Sequence, residues 1–326
     1  MNILVTGGTG FIGAEVVRIL VAKRHKPVVF RSTKAKSRLS DIEDKIILVR
    51  GTLANFAHVL NLVKDYDIEV IYHLGSMLSV PSEEDPWASF EVNARGTFNI
   101  LEAARLFGVK QVIFTSSRAT YGIDIKESII DEYSLQRPTS FYGSTKVFAE
   151  LMGRYYRRRF GLDFRGVRPP SVIGPRVRTP GFVQWTSWAI EEAYKGHPLT
   201  IWTSPETTYP SLYYKDVANG IVQLAEATKD NIKTVVYNMG GIKPLFSAQE
   251  LVDEVKKYFP HAKLDFKPDT SEIGRGKLLV PMNMDDSPAC EEWGWQPRYS
   301  LPELVRDFIQ ELKNHPEQYD RTEENL

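Results

Sequence analysis

The sequence has a single cysteine, no net charge and no long apolar run, and each absence excludes a class of protein. Cys290 has no second cysteine for an internal disulfide and no histidine at ligand spacing, so we expect a structural thiol and no metal site. The 41 basic and 41 acidic residues balance, which argues against nucleic acid or an anionic membrane as partner. Because no apolar run approaches the ~20 residues of a membrane helix and no basic leader precedes the first strand, we expect a cytoplasmic protein with a small-molecule ligand.

What the sequence does have is an alternation of short β-branched runs with segments whose apolar residues recur every three or four positions. This alternation predicts βαβ units and a parallel sheet with helices on both faces, a doubly wound (Rossmann) α/β fold. The predicted strands are Ile3–Thr6, Val28–Arg31, Ile46–Arg50, Val70–Leu74 and Val112–Ser116.

The regular alternation stops after about Arg168, where segments rich in Pro, Gly, Thr and Trp begin. We therefore predict a dinucleotide-binding domain with the catalytic residues over 1–170, and a smaller, mainly substrate-binding region over 171–314 from which some segments return to the core. Residues 315–326 form a polar tail. The alternative for the tryptophans of the second region is that they fill a small core.

The first predicted strand runs into the glycine-rich sequence GGTGFIG, and a helix is predicted from Ala14 through Lys23. Glycines at positions 7, 10 and 13 let the turn tighten and the backbone approach a pyrophosphate, whose charge the helix N-terminus favours. We place the dinucleotide at this turn and at the neighbouring strand ends, with Gly7, Gly10, Phe11, Ile12, Gly13, Leu53, Leu74, Gly75, Pro169 and Val172 as the expected contacts.

The end of the second strand indicates which dinucleotide binds. An acidic residue there accepts a hydrogen bond from the ribose 2′-hydroxyl of NAD, whereas a cation accommodates the 2′-phosphate of NADP. This chain has Arg31 and Ser32, followed by Thr33 and Lys34, and no Asp or Glu. The sequence therefore favours NADP over NAD. The alternative is that Arg31 stacks on adenine or faces solvent, and that NAD binds.

Two hydroxyl-bearing segments are candidates for the chemistry. In SFYGSTKVFAE, Tyr142 and Lys146 are four residues apart and so share one helical face, where the ammonium is expected to lower the phenol pKa and to contact the cofactor ribose. Such a tyrosine can exchange a proton with a carbinol while hydride passes to nicotinamide. In VIFTSSRATYG, a predicted strand ends in hydroxyls that could orient the same carbinol.

These motifs, together with Tyr72-His73-Leu74-Gly75, EVNARGTFNILEAA, RPPSVIGP and YYKDVA, make the chain similar to the extended short-chain dehydrogenase/reductase family over roughly residues 1–312. That family contains the nucleotide-sugar epimerases. The resemblance implies that Ser117 is the catalytic hydroxyl, Tyr142 the acid/base and Lys146 the ribose anchor, with Asn93 supporting the region. It also implies a homodimer through the helices near 88–107 and 143–160; the alternative is that these are core helices of a monomer.

The departures from the family pattern bear on the substrate. Arg118 and Ala119 stand where sugar-nucleotide dehydratases carry an Asp-Glu pair, so dehydration is not expected. Ser171 stands where epimerases commonly have Asn, and Tyr209 aligns with the arginine that holds a diphosphate. Since each lost charge-assisted contact would cost on the order of 1.5–3 kcal/mol, a nucleotide diphosphate is a poorer candidate than the family implies.

A closer local likeness is to the L-threonine dehydrogenases of the same family, through HLGSMLS and DDSPACEEWGW. Phe182-Val183-Gln184-Trp185 stands where those enzymes typically offer hydroxyls, which puts threonine itself in doubt. Arg176 and Arg178 could receive a substrate carboxylate or phosphate, and their alternative is a solvated loop. The expected substrate contacts are Ser79, Ser117, Ser171, Arg178, Phe182 and Trp185.

These observations lead to three alternative hypotheses for the function. The leading hypothesis is an NADP-preferring dehydrogenase or reductase of a small hydroxy or keto compound. The second is an NDP-sugar 4-epimerase, in which the hydride returns to the opposite face and the cofactor shows no net change. The third, a cofactor-binding regulator without chemistry, is disfavoured because both Tyr142 and Lys146 are present.

Overall fold

A computed structural model of the chain describes residues 1–32, 38–177, 183–269 and 283–316. The strands are β1 (Ile3–Thr6), β2 (Val28–Arg31), β3 (Ile47–Arg50), β4 (Val70–His73), β5 (Gln111–Thr115), β6 (Ile129–Ile130), β7 (Asp163–Arg168), β8 (Ser171–Ile173), β9 (Leu199–Ile201), β10 (Ser211–Tyr213), β11 (Val236–Asn238), β12 (Leu264–Phe266) and β13 (Asn283–Met284). The α-helices are α1 (Phe11–Ala22), α2 (Phe56–Asp65), α3 (Ser79–Glu84), α4 (Pro86–Ser89), α5 (Gly96–Leu106), α6 (Phe141–Phe160), α7 (Trp185–Lys195), α8 (Tyr214–Glu226), α9 (Ala248–Tyr258), α10 (Ser287–Trp293) and α11 (Leu301–Asn314).

Seven strands form one parallel sheet in the order β11-β7-β5-β4-β1-β2-β3. The chain first moves outward from β1 to β3, then crosses back and moves outward on the other side from β4 to β11. The order therefore reverses between β1 and β4, which is where a doubly wound sheet opens a crevice at the carboxyl ends of its strands. The predicted doubly wound α/β fold is confirmed.

The five predicted strands are all present, each within one residue of its expected boundaries. The first helix differs more, since α1 begins at Phe11 and not at Ala14. Gly10 is the N-cap and is extended, with φ −77° and ψ −176°, so the helix starts inside the glycine motif. An anion at this turn therefore meets the end of the helix directly.

The C-terminal part of the chain contributes to the main sheet and to small strand pairs outside it. Its β11 pairs in parallel with β7 and forms one edge of the main sheet. Three small parallel pairs lie outside that sheet, namely β8 with β10, β9 with β12 and β6 with β13. Among the residues that the structure describes, no helix is both long and apolar enough to cross a lipid bilayer.

A buried ion pair joins α6 to the central sheet. The guanidinium of Arg168, at the end of β7, donates to both carboxylate oxygens of Glu150 on α6, at 2.9 and 2.6 Å, and to the Tyr121 hydroxyl at 2.6 Å. Both partners of the pair are 1% exposed, and the Ser116 hydroxyl also donates to Glu150. Burial disfavours the charge of Arg168, but the hydrogen bond and charge of Glu150 outweigh this effect and raise its pKa. The pair orients α6 relative to the ends of β5 and β7.

Candidate functional site

The glycine turn after β1 packs directly against the chain that follows β4. Gly7 has φ +68°, and a Cβ there would lie 2.7 Å from Gly75 Cα, so only glycine permits this approach. A Cβ at Gly13 would overlap the Gly7 carbonyl oxygen. No described side chain caps the N-terminus of α1 at Gly10. The resulting groove of bare backbone beside a helix N-terminus fits a dinucleotide pyrophosphate.

A buried histidine fixes the two strand ends that flank this groove. His73 Nδ1 lies 2.7 Å from Thr6 Oγ1, and His73 Nε2 lies 2.9 Å from Thr97 Oγ1. The Thr97 hydroxyl donates its only proton to the Asn93 carbonyl at 2.6 Å, so it can only accept from His73. His73 Nε2 therefore carries the imidazole proton, and the unprotonated Nδ1 accepts a hydrogen bond from the Thr6 hydroxyl. Burial lowers the pKa of His73 to about 3, so it is neutral. Its role here is to join β1, β4 and the helix that contains Thr97.

Tyr142 lies in the first turn of α6, with its phenol bonded to two serine hydroxyls. Its side chain is 8% exposed and forms hydrogen bonds with Ser117, after β5, and with Ser76, after β4. Three hydroxyls from three separate elements thus meet at the crevice. Burial raises the pKa of Tyr142 to about 12, although the bonds to Ser117 and Ser76 act to lower it. The phenol is therefore protonated in this arrangement.

Lys146 lies one turn further along α6 and is 4% exposed. Its ammonium donates to the Thr115 carbonyl at 2.8 Å and lies 5.5 Å from the centre of the Tyr142 ring. Burial lowers its pKa to about 7. The expected lowering of the phenol pKa by this lysine is thus not seen, because burial weakens the ammonium charge and raises the phenol pKa at the same time.

Asn93 holds the loop after β4 in place, from a short π-helical segment at Phe90–Arg95. Its Oδ1 accepts from the Met77 backbone amide at 2.8 Å, and its Nδ2 donates to the Met77 carbonyl at 3.1 Å. The same Nδ2 donates to Thr145 Oγ1 at 3.3 Å. Asn93 therefore links the loop that carries Ser76 to the helix that carries Tyr142.

The other residues expected at the dinucleotide lie on several elements of the fold. Phe11 stacks on Tyr214 with ring centres 5.6 Å apart, which joins α1 to α8. Leu53 is buried and accepts from Asn99 Nδ2 at 2.8 Å through its carbonyl. The remaining positions are partly buried Ile12, Leu74, Gly75 and Val172, buried Pro169, partly buried Arg31 at the end of β2, and exposed Ser32.

The expected substrate residues are less closely grouped. Ser79 begins α3, and Ser171 begins β8 with a buried hydroxyl for which the described residues provide no hydrogen-bond partner. Trp185 is 2% exposed and belongs to the main hydrophobic core. It therefore fills a core, but the main one and not the small core given as the alternative. Arg178 and Phe182 lie outside the described residues.

One residue at this site is absent from the contacts predicted from the sequence. Ser76 bonds to Tyr142, whereas the sequence predicts Ser79, three positions later, as a substrate contact. The available signal is the position of Ser76 directly after His73-Leu74-Gly75, at the end of a central strand.

Comparison with known proteins places this fold and site in a family. The profile of the NAD dependent epimerase/dehydratase family matches residues 3–240, and the chain belongs to that family. A mitochondrial L-threonine 3-dehydrogenase of Bos taurus is 29% identical over 318 residues, covering 94% of this chain and 82% of the relative. The expected family, and the likeness to its threonine dehydrogenase branch, are confirmed.

Solved structures of related enzymes have the same fold as this chain. An L-threonine dehydrogenase from Clostridium difficile superposes with a TM-score of 0.87 at 28% identity, covering 98% of this chain and 99% of that one. A UDP-glucose 4-epimerase of Thermus thermophilus, in complex with NAD, has a TM-score of 0.83 at 25% identity, covering 96% and 99%. The protein is an NAD(P)-dependent enzyme of the dehydrogenase or epimerase type.

The glycine groove gives a first prediction. In Gly13→Ala the new methyl group must displace the Gly7 carbonyl, so the turn opens and dinucleotide affinity should fall by at least about tenfold, as measured by calorimetric titration. Gly108→Ala is the control. The φ of +67° at this position strains an alanine and should cost about 1–2 kcal/mol of stability. The new methyl group would nevertheless lie in open space, remote from the groove. Equal loss of affinity in both variants would contradict the assignment of the groove.

Proposed function

We propose that the protein is a dehydrogenase or reductase that transfers hydride at a secondary alcohol or ketone carbon of a small substrate. The observation that carries this proposal is the bonding of the Tyr142 phenol to the Ser117 and Ser76 hydroxyls at the carboxyl ends of the central strands. A protonated phenol held between two hydroxyls can exchange a proton with a carbinol or carbonyl oxygen placed among them.

Each of the site residues has a distinct role in this proposal. Tyr142 gives its proton to a ketone oxygen, or takes one from an alcohol, and Ser117 orients that oxygen. Lys146, whose charge is weakened by burial, contacts the cofactor ribose, and Asn93 positions the Ser76 loop against α6. A bound nicotinamide supplies or accepts the hydride. Gly7, Gly10 and Gly13 hold its pyrophosphate.

A small substrate is favoured over a nucleotide sugar by the residues at the outer side of the crevice. Tyr209, which aligns with the diphosphate-binding arginine of epimerases, is 6% exposed and offers no positive charge. The similarity to threonine dehydrogenases points the same way. We further propose that residues 1–170 bind the dinucleotide and carry the catalytic residues, as expected from the sequence. Residues 171–314 mainly bind the substrate, and residues 315–326 form a polar tail. The cytoplasmic location stays a prediction.

The second candidate is an NDP-sugar 4-epimerase, which the similarity to a solved UDP-glucose 4-epimerase supports. The two candidates differ in the fate of the hydride. A dehydrogenase changes the absorbance of nicotinamide as substrate turns over, whereas an epimerase inverts the sugar with no net change in the cofactor. A panel of small alcohols, ketones and NDP-sugars scored by both readouts separates them.

Tyr142→Phe tests the proposed proton transfer. Removal of the hydroxyl should lower kcat by at least about a hundredfold, because general acid–base catalysis of this kind contributes about 10²–10⁴-fold. Dinucleotide affinity should stay within about twofold of wild type. Tyr133→Phe is the control, since that side chain is 85% exposed. Full activity in Tyr142→Phe would refute the mechanism.

We also propose that the enzyme prefers NADP to NAD. Arg31 ends β2, at the strand tip where the adenosine ribose of a dinucleotide lies in this fold, and no acidic residue accompanies it at Ser32. A guanidinium there would neutralise a 2′-phosphate through charge-assisted hydrogen bonds.

Arg31→Ala tests this preference by titration with both dinucleotides. NADP affinity should fall by about tenfold to a hundredfold, the equivalent of one charge-assisted contact, and NAD affinity should hardly change. Arg50→Ala is a matched control, because Arg50 lies beside Arg31 at the end of β3 and is exposed. If Arg31→Ala weakens both dinucleotides equally, the arginine does not read the 2′-phosphate.

A homodimer is the third part of the proposal. Large apolar side chains are exposed along the helical segments near 88–107 and 143–160, and Phe98 packs edge-on against Tyr156 to join α5 to α6. The exposed residues are Trp87, Phe90, Phe98, Leu106 and Phe107 on the first segment and Phe148, Leu151, Tyr155 and Phe160 on the second. An apolar surface of this extent favours association with a second copy.

Leu151→Glu tests the dimer. This residue is 58% exposed, so a charge there costs little in a monomer but should be buried, and hence unfavourable, in the proposed four-helix interface. Sedimentation at micromolar concentration should show a dimer for wild type and mostly monomer for the variant. Leu135→Glu, at a residue 57% exposed outside both helices, should leave the dimer intact. A monomeric wild type would refute the proposal.

A further inference from the structure

The ammonium of Lys146 is buried beside Tyr142 without a carboxylate to balance its charge. Within the described ranges of the chain it forms no ion pair, and its one hydrogen bond goes to the Thr115 carbonyl, at 2.8 Å. The next carboxylate along α6 is Glu150, one turn further on, which already accepts from Arg168 at both of its oxygens. A buried charge without a counter-ion is costly, so another group must stabilise this ammonium.

The aromatic ring of Phe114 is in a position to do so. Lys146 Nζ lies over this ring, 4.8 Å from its centre, and is closer to it than to the Tyr142 ring at 5.5 Å. The face of an aromatic ring carries partial negative charge and attracts a cation within about 6 Å of its centre. Phe114 is 1% exposed, and such a contact is stronger where water is excluded. Phe114 therefore supplies an attraction that no carboxylate provides.

The sheet and the core hold Phe114 in place. Its strand β5 pairs in parallel with β4 on one side and with β7 on the other. Its ring stacks on Phe164 with centres 5.9 Å apart and is tilted against the imidazole of His73 at 5.8 Å. Because Phe114 and Thr115 are adjacent on β5, a single strand end provides both the ring and the carbonyl that contact the ammonium. The ammonium is thus fixed relative to the central sheet.

An ammonium has three N–H donors, and the Thr115 carbonyl takes one of them. We propose that Phe114 is a positioning residue, whose ring keeps the side chain of Lys146 in its charged form and holds it in place for the ribose hydroxyls of the cofactor. This inference rests on the proposed function, in which Lys146 contacts that ribose. The two remaining N–H groups suit two hydroxyl oxygens. Without the aromatic face, Lys146 should lose its proton at a lower pH.

The groups that face Lys146 leave its titration easy to recognise. Burial lowers the pKa of Lys146 to about 7, and the charge of Glu150, itself paired with Arg168, opposes this effect. Burial also lowers the pKa of His73 to about 3 and raises that of Tyr142 to about 12, so neither changes charge near neutral pH. The ammonium is present below the pKa of Lys146 and is lost as the pH rises through it. Weaker stabilisation of the charge moves this transition to lower pH.

NMR of protein labelled with carbon-13 at the Cε atoms of lysine tests the proposal. The signal of Lys146 is assigned from its absence in Lys146→Met, and its midpoint in wild type should be near pH 7. In Phe114→Leu the midpoint should fall by about one unit, equivalent to about 1.4 kcal/mol, which is within the range of a desolvated cation–π contact. Phe164→Leu is the matched control, since it removes the same atoms from the neighbouring ring of the same hydrophobic cluster. It should titrate as wild type does.

A second replacement keeps the shape of the ring and serves if the leucine variant does not fold. In 3,4,5-trifluorophenylalanine the fluorine atoms withdraw negative charge from the face of the ring. Placed at position 114 it should lower the midpoint of Lys146, and placed at position 164 it should not. A midpoint that is unchanged or raised by both replacements at 114 would overturn the proposal. Equal shifts from positions 114 and 164 would show a general effect of core packing and would also overturn it.

Calorimetric titration with NAD and NADP connects this contact to the cofactor. At pH 7 both dinucleotides should bind several-fold more weakly to Phe114→Leu than to Phe164→Leu, because less of the ammonium is charged. The difference should disappear well below both midpoints, where Lys146 is charged in both variants. A difference that persists at low pH would mean that Phe114 acts only through packing, which contradicts its proposed role.

Failure of the proposed function is distinguishable from failure of this inference. The NMR titration needs neither dinucleotide nor substrate, so it reports the contact between Phe114 and Lys146 even if no hydride is transferred. Full turnover in Tyr142→Phe would refute the proton-transfer mechanism and leave the role of Phe114 standing. An unchanged midpoint in the variants at position 114 would refute the role of Phe114 and leave the mechanism standing.

Discussion

The close approach of Gly7 to Gly75 is the constraint on which the site depends. These two glycines follow β1 and β4, the neighbouring strands between which the sheet order reverses. With no side chain at either position, the turn that would hold a pyrophosphate and the loop that carries Ser76 share one crevice. A larger residue at Gly7 would push these two segments apart, and the phenol of Tyr142 would lose one of its hydroxyl partners.

Buried polar groups below the crevice keep its walls aligned. His73 connects the ends of β1 and β4 through Thr6 and Thr97. The Arg168–Glu150 pair connects the end of β7 to α6. Each group would cost several kcal/mol if left unsatisfied, so the strand ends and the helix can hardly shift independently. The reactive hydroxyls are therefore placed by polar contacts that are themselves protected from water.

Much of the fold and the centre of the site could be predicted from the sequence. The strand positions follow from local β-branched runs, and the shared helical face of Tyr142 and Lys146 follows from their spacing. The outer substrate contacts could not be predicted in this way. Trp185 is in the core because α7 turns it inward, and Ser76 was missed because the geometry of the loop after β4 depends on Asn93, 17 residues later.

By itself the sequence determined the fold class, the dinucleotide turn and the kind of chemistry, because these depend on periodicity and on spacing within single segments. Only the tertiary structure decided which hydroxyls reach Tyr142 and how burial shifts the pKa of Tyr142 and of Lys146 in opposite directions. These properties arise between residues far apart in the chain, and desolvation depends on everything packed around a group.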